Sequence, residues 1–268
     1  MTKPAPSTPS ADKISSQKIA IVTGASSGIG QAAALRIAER GAGVILTYSS
    51  NPEGARETVA AIEERGGRAV ALALDLGRSE TFPAFAEAAA EEMRRIWGRD
   101  SFDYLVNNAG FADSALIESM SEELFDRLQR VLLKGPYFLT QKLLPLLAEG
   151  GAIVNVTSNS ATASGLTAGY SAYASMKGGL MVLTRYMAKE FSPRRIRVNS
   201  VEPGPTRTRL GGDAFAKMPE VIPMLAARTA LGRIGEGDDV GRAIAGLLSD
   251  DFGWATGQNI EVSGGFNL

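Results

Sequence analysis

The chain has 268 residues, 44% of them hydrophobic and 21% charged, and a net charge of −1. That is enough to bury a full α/β core, and it gives no electrostatic pull toward nucleic acid or an anionic membrane. There is no cysteine and no histidine. Disulfides, thiolate catalysis, sulfur- or imidazole-bound metals and a Ser-His-Asp triad are therefore excluded, and acid–base work falls to Asp, Glu, Tyr or Lys.

Residues 1–17 are rich in Pro, Ser, Thr and Ala, lack the apolar stretch of a signal peptide and read as a disordered tail. No apolar run reaches bilayer length, so a soluble cytoplasmic protein with no membrane partner is expected. Residues 18–23 predict a buried strand, followed by a glycine turn and a helix over 31–40 closed by Gly41. Strands follow at 44–48, 69–74, 102–106, 152–157, 197–201 and 259–262. Helices lie between them at 53–65, 80–97, 121–147, 171–191 and 238–248, while 203–237 reads as irregular. Strands alternating with helices predict βαβ units and one doubly wound, Rossmann-type parallel sheet of about seven strands, covered on both faces. No linker or repeat divides residues 18–268, so a single domain is expected.

In such a sheet the ligand sits at the carboxyl ends of the strands, where strand order reverses. The first βα turn reads Thr23-Gly24-x-x-x-Gly28-x-Gly30. Small residues there let the backbone approach a pyrophosphate, and the following helix N-terminus favours its charge. The second strand ends in Thr47-Tyr48-Ser49-Ser50-Asn51, with no carboxylate to repel a 2′-phosphate. The hydroxyls of Ser49 and Ser50 could donate to that phosphate, so NADP(H) is favoured and NAD(H) is the alternative. Further along, Tyr173 and Lys177 are spaced to share one helix face. A cation beside a phenol lowers its pKa, which would suit Tyr173 to proton exchange with an alcohol oxygen.

Several short segments recur in order. They are Thr23-Gly24-Ala25-Ser26-Ser27-Gly28-Ile29-Gly30, Asp75-Leu76, Asn107-Asn108-Ala109-Gly110, Ser158 with Tyr173-x-x-x-Lys177, and Pro203-Gly204-Pro205-Thr206-Arg207-Thr208. With them the chain resembles the short-chain dehydrogenase/reductase family over residues 18–268, and its pattern is similar to the 3-oxoacyl-carrier-protein reductase and sugar-alcohol dehydrogenase branches. The resemblance implies a carbonyl–alcohol oxidoreductase with a small-molecule substrate, usually a homotetramer or homodimer formed through the long helices. It implies that Gly24, Ser26, Ser27, Gly28, Ile29 and Gly30 hold the pyrophosphate side of the cofactor, with Tyr48, Ser49 and Ser50 beyond them. Asp75 and Leu76 would flank the adenine, and Asn108, Ala109 and Gly110 would line the cofactor and steady the fourth strand. Ser158 would hydrogen-bond the substrate oxygen, with Ser160 as a rival. Tyr173 would be the acid or base, and Lys177 would tune it and bind the nicotinamide ribose. Pro203, Gly204, Thr206 and Thr208 would position the nicotinamide.

Two departures stand out. Leu132 occupies the place of a family asparagine that supports a water linked to the lysine; its carbonyl can still hold that water, its side chain cannot. Glu202 stands before Pro-Gly where a small residue is usual, and it is either solvated or meets a polar substrate. Leu132 is the one feature that favours a rival reading as a low-turnover, cofactor-binding interaction protein. Substrate choice is expected from a lid over 207–237, where Arg207 and Arg209 could draw an acidic or acyl-carrier substrate.

Overall fold

The computed structural model describes residues 17–208 and 215–268. The strands are β1 (Ile19–Val22), β2 (Gly43–Tyr48), β3 (Ala69–Ala73), β4 (Phe102–Asn107), β5 (Leu147–Val156), β6 (Arg197–Pro203), the short β7 (Thr206–Arg207) and β8 (Gly235–Glu236), and β9 (Asn259–Val262). Seven of them form one sheet in the order β3-β2-β1-β4-β5-β6-β9, and β7 pairs only with β8. Every pairing in the large sheet is parallel. The helices are α1 (Gly28–Glu39), α2 (Pro52–Glu63), α3 (Phe82–Trp97), α4 (Glu122–Gln129), α5 (Gly135–Leu143), α6 (Ser171–Glu190), α7 (Val221–Ala227) and α8 (Gly237–Leu248).

The period of two in each strand divides the core between two faces. In β1, Ile19 and Ile21 pack with Phe82, Met93, Trp97 and Leu139 from α3 and α5. Ala20 and Val22 pack on the other side with Ala33, Ile37, Ile244 and Leu248 from α1 and α8. Helix α3 buries Phe82, Phe85, Ala86, Ala89, Ala90, Met93 and Trp97, the stripe that the 3.6-residue period demands. Strand order reverses at β1, which has β2 on one side and β4 on the other. The carboxyl ends of β1 and β4 therefore frame the ligand crevice.

Three elements differ from expectation, the first being β5, which begins at Leu147, five residues before the expected start. The single helix expected over 121–147 is broken into α4, a wide π turn at Arg130–Lys134, α5 and a 3-10 turn at Leu144–Leu146. Pro136 is the cause: it has no N–H for the Leu132 carbonyl, and its ring crowds that turn. The stretch read as irregular holds α7 and the β7–β8 bridge. Of the tail, residues 1–16 lie outside the described residues, as do Arg209, Gly211 and Gly212 of the expected lid. Gln17 is anchored: its side chain donates to Gly41 O at 2.7 Å and its carbonyl accepts from Arg99. Among the described residues no helix is long and apolar enough to cross a membrane.

Candidate active site

The floor of the crevice is built by side chains that join β1 to β4. Thr23 Oγ1 accepts from the backbone N–H of both Asn108 and Ala109, at 2.9 and 3.0 Å. Asn108 Nδ2 returns bonds to Thr23 O and Gly24 O. This clasp brings the backbones so close that side chains are excluded. A Cβ at Gly24, where φ is +64°, would lie 2.7 Å from Ala109 Cα, and one at Gly30 would lie 2.4 Å from Asn108 Nδ2. Thr47 Oγ1 accepts from Gly24 N, which ties β2 to the same turn.

This floor fits the pyrophosphate of a nicotinamide dinucleotide. Helix α1 opens at Gly28, and its N-cap Ser27 makes no side-chain cap bond, so the first-turn N–H groups keep their capacity for an anion. Ser26 and Ile29 belong to the same turn. At the end of β2, Tyr48 is half-buried while Ser49 and Ser50 are exposed. Asn51 caps α2 by accepting from Gly54 N, and its Nδ2 donates to Ser26 O. That bond holds the Ser49–Ser50 turn beside the glycine turn. Neither serine side chain is used in a hydrogen bond within the described residues, and no carboxylate stands among 47–51. Arg56 is paired with Glu53 on the surface. Asp75 accepts from Gly77 N at 2.8 Å and Leu76 is buried. On the opposite side Thr206 Oγ1 donates to Gly204 O at 2.9 Å, just past Pro203. Thr208 lies beside Gly28: a Cβ added there would stand 3.3 Å from its side chain.

Ser158, Tyr173 and Lys177 are brought together. Ser158 follows β5, is buried, and its Oγ accepts from Ser160 N at 3.2 Å. Tyr173 lies in the first turn of α6 and Lys177 one turn on; each is 5% exposed. Lys177 Nζ donates to Val156 O at 2.7 Å and stands 5.9 Å from the Tyr173 ring centroid. Tyr170 meets Tyr173 edge-on at 6.0 Å. Burial pushes the Tyr173 phenol up to about 12, against the pull of a hydrogen bond with Ser158. Burial alone brings Lys177 down to about 8.

The expectation that Lys177 lowers the Tyr173 pKa does not hold for the protein alone. Loss of water around the phenol is the main cause of the rise, the Ser158 hydrogen bond opposes it and Tyr170 adds to it. Tyr173 is therefore held as a neutral phenol.

Leu132 lies in the π turn, 1% exposed, packed with Leu128, Ala172, Tyr173 and Met176. Its Cδ2 also lies close against Gly110. It serves as packing for the tyrosine. Leu132→Asn is expected to lose about 2–4 kcal/mol of stability, because it replaces a well-packed alkyl group by a buried amide. Urea unfolding checks this, and kcat per folded molecule should stay within about threefold of wild type.

Glu202 is not solvated, contrary to one expectation, and it does not face the cleft described below: it is 2% exposed and hydrogen-bonded to Thr162 at 2.6 Å and to Asn259. Arg207 is engaged with Glu236 at 3.0 Å, which leaves it a surface ion pair rather than an open anion site.

Beside Tyr170 an apolar cleft of about 780 Å³ opens between Leu116 and Ile117 on one side and Leu166 on the other, with Ser160 and Glu118 among its lining. The sequence reading looked to 207–237 for substrate choice and missed these walls.

Known proteins resemble this chain over nearly its whole length. A family model described as Enoyl-(Acyl carrier protein) reductase matches residues 24–267. An uncharacterised oxidoreductase of Methylorubrum extorquens is 38% identical over 248 residues, covering 92% of this chain and 97% of its own. Versicolorin reductase 1 of Aspergillus parasiticus is 33% identical over 258 residues, covering 92% and 95%. Among solved structures, the promiscuous reductase LugOII, which catalyses keto-reduction at C1 during lugdunomycin biosynthesis, superposes with a TM-score of 0.88 at 37% identity, over 94% of this chain and 98% of its own. The angucycline C-6 ketoreductase LanV with bound NADP gives 0.88 at 34% identity, over 93% and 95%. The open helix N-terminus above the Thr23–Asn108 clasp and the matched span of 24–267 lead to one conclusion: this chain belongs to the short-chain dehydrogenase/reductase family and is an NAD(P)-dependent oxidoreductase.

Proposed function

We propose that the chain is an NADP(H)-dependent reductase of ketones in which Tyr173 is the proton donor. The observation that carries this reading is a buried phenol hydrogen-bonded to Ser158, with the buried Lys177 one helix turn on. At neutral pH such a phenol carries its proton, as a donor to a carbonyl oxygen must. When bound, the nicotinamide supplies the hydride to the carbonyl carbon. Tyr173 Oη gives its proton to the carbonyl oxygen as negative charge grows there, and Ser158 donates a hydrogen bond to the same oxygen, stabilising that charge. Lys177 holds the nicotinamide ribose and offers a positive charge beside the phenol as it ionises. Ser49 and Ser50 receive the 2′-phosphate. Gly24, Ser26, Ser27, Gly28, Ile29 and Gly30 hold the pyrophosphate, Asp75 and Leu76 flank the adenine, and Pro203, Gly204 and Thr206 seat the nicotinamide, with Thr208 beside the pyrophosphate turn.

The cleft suits a ketone with an uncharged, apolar body. Its walls are Leu116, Ile117 and Leu166, its charged lining residue is the anion Glu118, and no Lys or Arg stands among its described lining residues. A free carboxylate would find no counter-charge there. The names of the relatives, reductases of versicolorin and of angucyclines, support the same class. A homodimer or homotetramer through α4, α5 and α6 is supported by the exposed Phe125, Tyr137, Phe138, Val182 and Tyr186 on those helices.

The test needs no substrate. Titration of the protein with NADPH and then NADH, followed by fluorescence, is expected to show NADPH binding at least about tenfold more tightly. Preference for NADH would overturn the phosphate site at Ser49–Ser50, and binding of neither would overturn the whole reading.

A further inference from the structure

Glu202 is a buried carboxylate that the reaction above does not use. Among the described residues no cation pairs with it; its partners are neutral donors. Thr162 Oγ1 donates to one oxygen at 2.6 Å and Asn259 Nδ2 to the other. The orientation of Asn259 is fixed from behind: its Oδ1 accepts from Ser200 Oγ at 2.7 Å. Its amide nitrogen must therefore face Glu202, and only a carboxylate offers acceptors to both sides.

The chain positions of these partners give the arrangement its meaning. Thr157 directly precedes Ser158, and it donates to Val201 O at 2.7 Å. Thr162 closes the turn on the far side, with its own Oγ1 near Asn159 O at 3.0 Å. Both flanks of the Ser158 turn are thus tied to β6, one through the Val201 carbonyl and the other through Glu202. Among the described residues Asn159 Nδ2, within that turn, is buried with no partner.

We infer that Glu202 is a positioning residue, holding Ser158 at its reacting distance by clamping Thr162 to the sheet. The inference rests on the role proposed for Ser158. It makes Glu202 act on turnover through the serine alone, while the cofactor floor, built by Thr23, Gly24 and Asn108, is left as it is.

A double-mutant cycle tests this with Glu202→Gln, Ser158→Ala and the pair, measuring kcat and KM for a ketone and the NADPH Kd. Glu202→Gln keeps one acceptor and loses the other. Its kcat is expected to fall about tenfold with NADPH affinity within about twofold of wild type, and in the Ser158→Ala background it should change kcat by less than about twofold. Thr162→Val, which cuts the same link from the other end, should reproduce the loss and stands in if the glutamine variant does not fold. A residue that merely supports the fold would lower activity by the same factor in both backgrounds. That result, or wild-type kinetics in both Glu202→Gln and Thr162→Val, overturns the inference. If Ser158→Ala itself turns over like wild type, the proposed role of Ser158 fails instead, and the inference with it; an impaired Ser158→Ala with additive effects rejects only the clamp.

Discussion

Tyr173→Phe lowers kcat for ketone reduction by about a thousandfold or more and leaves the NADPH Kd within about twofold of wild type. The ring stays, with its edge contact to Tyr170 and its packing against Leu132 and Met176. The variant therefore folds, and only the hydroxyl is lost. That hydroxyl is asked to do two things, to give a proton and to stabilise charge on the substrate oxygen. Each is worth about a hundredfold or more on its own. The oxygen would keep a single donor, Ser158. Steady-state kinetics beside a binding titration reads both quantities, and a fully active phenylalanine variant would remove Tyr173 from the reaction.

Lys177→Ala is expected to do what the tyrosine variant does not, and lose binding and turnover together. The ammonium is fully enclosed and donates to Val156 O at 2.7 Å. Its removal leaves that carbonyl unpaired and takes away the charge offered to the cofactor and to the ionising phenol. NADPH affinity should fall about tenfold and kcat about a hundredfold. The sign of the pH effect follows from burial. In the protein alone Lys177 titrates at about 8, so it is charged below that pH and neutral above it. An anionic cofactor prefers the charged form. NADPH affinity in the wild type should therefore weaken as pH rises through about 8, while in Lys177→Ala it should be weaker at pH 7 and flat across the same window. Unchanged kinetics and an unchanged profile in the alanine variant would dismiss its double role.

The strands and the glycine turn were legible because local rules decide them. An apolar run such as Ile19–Val22 has no stable place except a buried strand, and glycines at 24 and 30 announce a close approach before the partner Asn108 is known. What failed to show were effects of neighbours distant in the chain. The spacing of Tyr173 and Lys177 predicts mutual influence, yet the sign of the tyrosine shift depends on how completely Leu132, Met176 and Ala172 exclude water. Glu202 read as an oddity because its partners, Thr162 and Asn259, come from other elements. The break at Pro136 was readable in principle; the apolar pattern across 121–147 carried more weight than one proline should allow. The cleft walls at Leu116, Ile117 and Leu166 have no motif, since a wall needs only bulk and greasiness.

The turn after β2 has a consequence for how such an enzyme changes over time. Ser49 and Ser50 are exposed and carry no side-chain bonds among the described residues, while Asn51 anchors the turn to Ser26. Substitution at 49 or 50 is thus nearly silent for stability and far from the proton donor. On the proposed reading, the choice of which cellular reductant the enzyme draws on is stored in two residues that nothing else constrains. A lineage can rewrite that choice in a single step, with the reaction itself left as it was.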